Sequence, residues 1–112
     1  MQRYGMVIGL REAKIPYYKE LHRNVWPDVV AKMQECNMQN YSIYLRKLAD
    51  GKHYLFSYFE YVGVDYDSDM AKMADDPTTQ KWWDECMPCQ EPLADVAEGE
   101  WWAGMEEVFH QD

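Results

Sequence analysis

The stretch of sequence that decides the fold is His53-Tyr54-Leu55-Phe56-Ser57-Tyr58-Phe59-Glu60-Tyr61. It is rich in aromatic residues, which is typical of a β-strand, and successive strand side chains point to opposite faces of a sheet. The side chains expected on one face are Leu55, Phe59 and Tyr61, and those expected on the other are Tyr54, Phe56 and Tyr58. A sheet with one solvated face should alternate apolar with polar residues, so we expect both faces to be covered.

Helices can cover one of these faces, and another copy of the chain is the simplest cover for the other. Such packing would bury the aromatic rings that the helices leave bare. The sequence therefore predicts a homodimer in which two sheets pack against each other.

The rest of the chain supplies strands and helices around this strand. Asp50-Gly51 predicts a turn that joins it to a preceding strand at Asn40–Leu45. Pro16 suits the first turn of a helix, and Pro27 should break that helix and start the next. The remaining expected elements are a first strand at Tyr4–Leu10, helical segments around Met70–Ala74 and from Thr78 to about Met87, a loop from Glu91 to Gly104 and a last strand at Met105–His110. The order βαββαβ predicts a single α+β domain over residues 1–112, a ferredoxin-like sandwich.

Composition and charge exclude several classes of function. The chain has 112 residues, of which 47% are hydrophobic and 15% aromatic, so disorder is not expected. Eleven basic against twenty acidic residues give a net charge of −9, which disfavours nucleic acid and anionic membrane surfaces as partners. The sequence contains no apolar run of about 20 residues and its first residues lack a signal-peptide core, so we expect a cytoplasmic protein without a membrane span.

The three cysteines do not predict a disulfide framework or a metal centre. Cys36, Cys86 and Cys89 are an odd number, and Cys86-Met87-Pro88-Cys89 is an isolated C-x-x-C. A redox role would place the pair at the start of a helix, whereas here it follows Trp82-Trp83 near a helix end. Zinc would need two further ligands at a recognisable spacing. We therefore expect inert thiols and no metal.

A histidine among aromatic residues is the main candidate for chemistry. Tyr18 and His22 are four residues apart and should project from one face of the first helix. Tyr41 should lie beneath the helices, and Trp82 and Trp83 lie on the last helix. Together they would form a cleft with an acid/base group and flat walls suited to a sugar. Each residue could instead belong to the core, and a lone histidine is more often structural than catalytic. The sequence has no nucleophile elbow, phosphate-binding loop or dinucleotide fingerprint, which leaves a cofactor-free proton-transfer enzyme or a binding module.

Four collinear motifs resemble the L-rhamnose mutarotase family over nearly the whole chain. They are Tyr18-x-x-x-His22-x-x-x-Trp26-Pro27, Asn40-Tyr41-Ser42-Ile43-Tyr44-Leu45, Trp82-Trp83 and Glu107-Val108-Phe109. The chain differs from the typical member at Arg23-Asn24-Val25 and in a longer connection, from Cys89 to Ala103, that contains Trp101-Trp102. Both differences flank the expected pocket.

The resemblance implies a dimeric α/β barrel of ferredoxin-like subunits that interconverts the α and β anomers of L-rhamnose without a cofactor. It implies that His22 is catalytic and that Tyr18, Tyr41, Trp82 and Trp83 bind the sugar. Because imidazole titrates near neutrality, we expect His22 to donate a proton to the ring oxygen, with or without help from a second group.

Three alternatives stay open at this point. The same chemistry could act on L-fucose or another deoxysugar. Small dimeric α/β barrels also include cofactor-independent monooxygenases and haem-degrading proteins, although a shared fold does not carry function. A non-catalytic sugar-binding protein would bind a sugar without changing its anomer exchange.

Overall fold

The computed structural model describes residues 1–112 and contains the expected mixture of strands and helices. The strands are β1 (Gln2–Leu10), β2 (Met38–Lys47), β3 (His53–Tyr61), β4 (Gln90–Glu91) and β5 (Ala103–Met105). The α-helices are α1 (Ile15–Arg23), α2 (Pro27–Glu35), α3 (Tyr66–Asp75) and α4 (Pro77–Cys86), and 3-10 turns lie at Glu12–Lys14 and Met87–Cys89. None of the helices has the length and hydropathy needed to span a membrane.

The sheet is antiparallel, with β1 and β3 at its centre. The strand order is β2-β3-β1-β4, and β5 also pairs with β1. The β1–β3 register runs from Gln2 opposite Tyr61 to Leu10 opposite His53. Each crossover connection contains two consecutive helices, α1–α2 and then α3–α4. The predicted ferredoxin-like α+β fold is confirmed.

Both proline boundaries arise as predicted. Pro16 and Pro27 each lie in the first turn of their helix, and Trp26 has the extended conformation that precedes proline. Asp76 caps α4, because its carboxylate accepts from the Thr79 amide at 3.0 Å and from the Thr79 hydroxyl at 2.8 Å. Proline and caps therefore divide each crossover into two short helices that lie along the sheet.

The predicted last strand at Met105–His110 is wrong in its bounds. The strand is β5, from Ala103 to Met105, and residues 106–112 belong to no strand. Met105 is the last residue of β5 whose backbone pairs with β1, and its partner is Gly5. Beyond it, the chain is held to β1 by side chains, because the Glu107 carboxylate accepts from the Arg3 guanidinium at 3.0 Å. β4 and β5 together form one interrupted edge strand, and residues 92–102 lie between its two halves.

The two faces of β3 differ in burial as the sequence predicts. Leu55, Phe59 and Tyr61 are at most 4% exposed and belong to the side beneath the helices. The alternate residues Tyr54, Phe56, Tyr58 and Glu60 are only half-buried. In the single chain, the second face of the sheet is therefore apolar and partly open.

Candidate active site

The catalytic candidate His22 is held on α1 by a contact with its own helix. The His22 Nδ1 atom lies 2.8 Å from the carbonyl oxygen of Tyr18, and the two rings stack with centroids 4.2 Å apart. A carbonyl oxygen can only accept, so Nδ1 carries the hydrogen of the neutral ring. The other ring nitrogen, Nε2, is therefore the one that can accept a proton.

Two tryptophans complete the surroundings of the imidazole. Trp82 meets His22 edge-on at 5.2 Å, and Trp26 meets Trp82 at 5.1 Å. Burial lowers the pKa of His22 below its ordinary 6.5, although the hydrogen bond to Tyr18 opposes this shift. At neutral pH the ring is thus uncharged, and it can donate a proton through Nε2 only after it has accepted one there.

His22 opens into a cavity of about 140 Å³ between α1 and the sheet. Tyr18, Lys19 and His22 contribute from the helix, and the sheet contributes four aliphatic side chains, Leu10, Ile43, Leu45 and Leu55. Polar groups therefore line one side of the cavity and an apolar wall lines the other. This arrangement suits a small molecule with hydroxyl groups on one edge and carbon-bound hydrogens on the other.

The Tyr18 hydroxyl is the second polar group placed beside His22. Tyr18 is 4% exposed, and burial keeps its pKa well above the ordinary value of 10.0, so the phenol stays protonated. Its oxygen lies 3.2 Å from the Gln90 amide nitrogen. Gln90 is not among the site residues that the sequence predicts, because no motif or spacing marks this amide beyond its place directly after Cys89.

The predicted site residue Tyr41 lies at an irregularity of β2. The register shifts between Gln39 and Ser42, and Asn40 has a positive φ of 50°, which marks a β-bulge. The bulge turns the Tyr41 ring against Phe59, with centroids 5.4 Å apart, and leaves Tyr41 37% exposed. Tyr41 is close enough to Tyr18 to add to the burial that raises the pKa of the Tyr18 hydroxyl. Tyr41 itself does not line the cavity of His22.

The tandem tryptophans of α4 have different surroundings. Trp82 is 4% exposed and lies behind His22, so it orients the imidazole more than it offers a surface to a ligand. Trp83 is half-buried and packs against both hydrophobic clusters of the core. The structure therefore brings together Tyr18, His22 and Trp82, while Tyr41 and Trp83 lie at the margin.

Comparison with known proteins identifies the family. The model of the L-rhamnose mutarotase family matches residues 3–111. The chain belongs to this family. The L-rhamnose mutarotase of Oceanobacillus iheyensis is 29% identical and that of Bacillus subtilis is 27% identical, each over the full length of both chains. The crystal structure of an L-rhamnose mutarotase from Formosa agariphila has the same fold, with a TM-score of 0.74, 21% identity and full coverage of both chains.

Membership in the mutarotase family favours the anomer-exchange hypothesis over the monooxygenase and haem alternatives. The motifs of the resemblance, from Tyr18 to Phe109, all lie within the family match over residues 3–111. No group of three or more His, Cys, Asp and Glu side chains lies close enough together to hold a metal ion.

The three cysteines are unpaired and buried, and burial raises the pKa of Cys86 to about 12. The thiols are therefore protonated and inaccessible.

This member of the mutarotase family has a second, larger cavity of about 440 Å³. None of the predicted site residues lines it. It lies where β1 ends beside the hairpin turn, and its lining includes Arg11, Glu12, Lys52, His53 and Glu91. Within this lining, Arg11 and Glu91 form an ion pair at 3.1 Å. Leu10 borders both cavities, but only the smaller one presents an acid/base group fixed in one tautomer.

Proposed function

We propose that this protein interconverts the α and β anomers of L-rhamnose by opening and reclosing the pyranose ring, without a cofactor. The observation that carries the proposal is the uncharged His22, whose Nε2 is free to accept a proton in a cavity with one polar and one aliphatic wall. The family model and the relatives named L-rhamnose mutarotase support the same reaction.

The imidazole can both start and finish the ring opening. Nε2 takes the proton of the anomeric hydroxyl, the bond between the anomeric carbon and the ring oxygen breaks, and the aldehyde forms. The imidazolium then returns that proton to the ring oxygen. Both oxygens are bonded to the same carbon, so one nitrogen can serve both. Rotation of the aldehyde and the reverse steps give the other anomer, and no proton is gained or lost overall.

The Tyr18 hydroxyl supports this exchange without ionising. Because its pKa is raised by burial, it donates a hydrogen bond to a sugar oxygen and keeps its proton. Such a bond stabilises the oxygen on which negative charge develops as the ring opens. Tyr18 is thus proposed to orient the sugar and polarise it while His22 moves the proton.

The aliphatic wall suggests why the sugar would be a 6-deoxyhexose. Leu10, Ile43, Leu45 and Leu55 offer no hydrogen-bond partner, so a methyl group at carbon 6 can lie against them without loss. A hydroxymethyl group there would leave its hydroxyl unpaired, which costs free energy.

We therefore expect faster catalysed exchange with L-rhamnose than with L-mannose, which differs only by the hydroxyl on carbon 6. An apolar pocket rejects an added hydroxyl by about 10- to 100-fold in kcat/KM. The measurement is the approach to anomeric equilibrium by NMR, corrected for the spontaneous rate, with L-fucose as a third sugar. Equal rates with L-rhamnose and L-mannose would contradict the role of the aliphatic wall, and a higher rate with L-fucose would make that sugar the substrate.

The open face of the sheet supports a homodimer as the working form. Tyr44 is 66% exposed, and it pairs across the sheet with Phe56, which pairs in turn with Val7. Met105, at 44% exposure, lies over Gly5 on the same face. A second copy of the chain would cover this apolar surface.

In solution we expect a mass of twice 13.4 kDa by light scattering. Tyr44→Lys should give the monomer, because it places a charge within the apolar contact. Val64→Lys is the matched control, since Val64 is fully exposed in a loop and should leave the dimer intact. A monomeric wild type, or a Tyr44→Lys protein that stays dimeric, would rule out this arrangement.

A further inference from the structure

We propose that Gln90 and Trp101 are positioning residues that direct the hydroxyl hydrogen of Tyr18 at the sugar. The proposal rests on the proposed function, since it assigns the hydrogen-bonding direction of a group in the same cavity. Neither residue belongs to the motifs that identify the family. Trp101 comes from the connection that interrupts the edge strand.

The direction of the chain of hydrogen bonds is fixed at Trp101. Its indole Nε1 lies 2.7 Å from the Gln90 side-chain oxygen. An indole N–H can only donate, so the Gln90 oxygen must face Trp101 and the Gln90 NH₂ group must face Tyr18. The amide orientation is therefore determined by a partner that cannot reverse its role.

At the other end, this orientation makes the Tyr18 oxygen an acceptor. The Gln90 nitrogen donates to it at 3.2 Å, so the phenolic hydrogen is left for an acceptor outside the chain. Gln90 and Tyr18 are both 4% exposed, so bulk water does not compete for these positions. The stacked pair then presents the Tyr18 hydroxyl as a donor beside the His22 Nε2 atom as an acceptor, which is the pair that ring opening needs.

The interrupted edge strand holds both residues in place. Gln90 pairs with Leu10, whose side chain lines the cavity, and β5 begins two residues after Trp101 with Ala103 opposite Val7. A Cβ on Gly9 would lie 2.7 Å from the Glu91 carbonyl oxygen, so the glycine allows β4 to approach β1. Trp101 also packs against the core cluster that contains Tyr18 and Trp82.

Gln90→Glu tests the direction of the bond while keeping the shape. A carboxylate still accepts from Trp101, but it also accepts from Tyr18 and so takes the hydrogen meant for the sugar. At pH 8 we expect the catalysed exchange of L-rhamnose anomers to fall by about 10- to 100-fold, the loss typical of one hydrogen bond to a developing charge. As the pH falls through the pKa of the new carboxyl, that carboxyl takes up a proton and can donate to the Tyr18 oxygen as the Gln90 amide does. The activity relative to wild type should then rise.

Two tryptophan variants separate positioning from packing. Trp101→Phe removes the N–H that fixes the amide and should lower kcat more than it changes KM. Trp102→Phe is the matched control, because Trp102 packs against the same core cluster from the adjacent position and should leave kcat unchanged. Thermal unfolding of each variant checks that the fold is retained.

Failure of the positioning role of Gln90 and Trp101 can be distinguished from failure of the mutarotase function. If wild type accelerates the exchange but Gln90→Glu matches its rate and its pH profile, the positioning role is overturned and the mutarotase function stands. Equal losses in Trp101→Phe and Trp102→Phe would also overturn it, since packing alone would explain them. If wild type gives no acceleration, the function fails first.

Discussion

Replacing His22 with alanine should remove most of the catalysed anomer exchange. Of the stacked pair in the cavity, the imidazole is the group that can exchange a proton near neutrality, since burial keeps the neighbouring phenol protonated. Loss of a general acid–base group lowers rates by about 10²–10⁴-fold. The measurement is the rate of exchange between α- and β-L-rhamnose above the spontaneous rate, for wild type and His22→Ala at equal protein concentration.

The control for this substitution is a histidine at the far end of the chain. His110 pairs with Asp112 at 2.7 Å and does not line the cavity, so His110→Ala should exchange the anomers as wild type does. Thermal unfolding should show that His22→Ala remains folded. Undiminished exchange in His22→Ala would mean that another group moves the proton.

The pH profile of the wild-type enzyme follows from the same ring. His22 acts first as a base, so it must be neutral, and its pKa is lowered from 6.5 by burial. The neutral form is present above that pKa, so kcat/KM should stay level at neutral pH and fall only as the pH drops through a value below 6.5. The Tyr18 hydroxyl keeps its proton well into the alkaline range, so no second loss of activity should come from it near neutrality.

Removal of the Tyr18 hydroxyl should have the second largest effect. Tyr18→Phe keeps the ring that stacks on His22 at 4.2 Å but removes the donor to the sugar and leaves the Gln90 amide without its acceptor. We expect a loss of about 10- to 100-fold in kcat, which is the contribution of a hydrogen bond to a charged or charging group.

The adjacent tyrosine provides a matched control. Tyr17 is 46% exposed, and its hydroxyl donates to Glu85 at 2.6 Å, away from the cavity. Tyr17→Phe should therefore retain the wild-type rate. If both variants lost activity equally, the effect would come from α1 as a whole and the donor role of Tyr18 would be wrong.

The sequence predicted the central sheet because its signals are local. The aromatic alternation of residues 53–61, the Asp50-Gly51 turn and the two prolines each act within a few residues. The end of the chain was mispredicted because pairing there depends on a distant partner. Glu107 meets Arg3, and β5 stops at Met105, where no local residue type marks the boundary.

The site shows the same division between local and distant information. Tyr18 and His22 are one helical turn apart, so their stacking follows from spacing alone. Gln90 donates to the Tyr18 hydroxyl across 72 residues of sequence, and Trp101 donates to Gln90 across 11, which no periodicity encodes. The tautomer of His22 also depends on a backbone contact, which the spacing of residues does not show.

Magnetisation transfer between the anomeric protons of α- and β-L-rhamnose tests the mutarotase function most directly. Saturating one anomeric resonance should reduce the other when the wild-type protein is present, and the reduction should disappear with His22→Ala. The transfer should remain with His110→Ala, whose imidazole lies outside the cavity. Absence of any transfer with wild type at pH 7, for L-rhamnose and for other 6-deoxyhexoses, would contradict the assignment of this chain as a mutarotase.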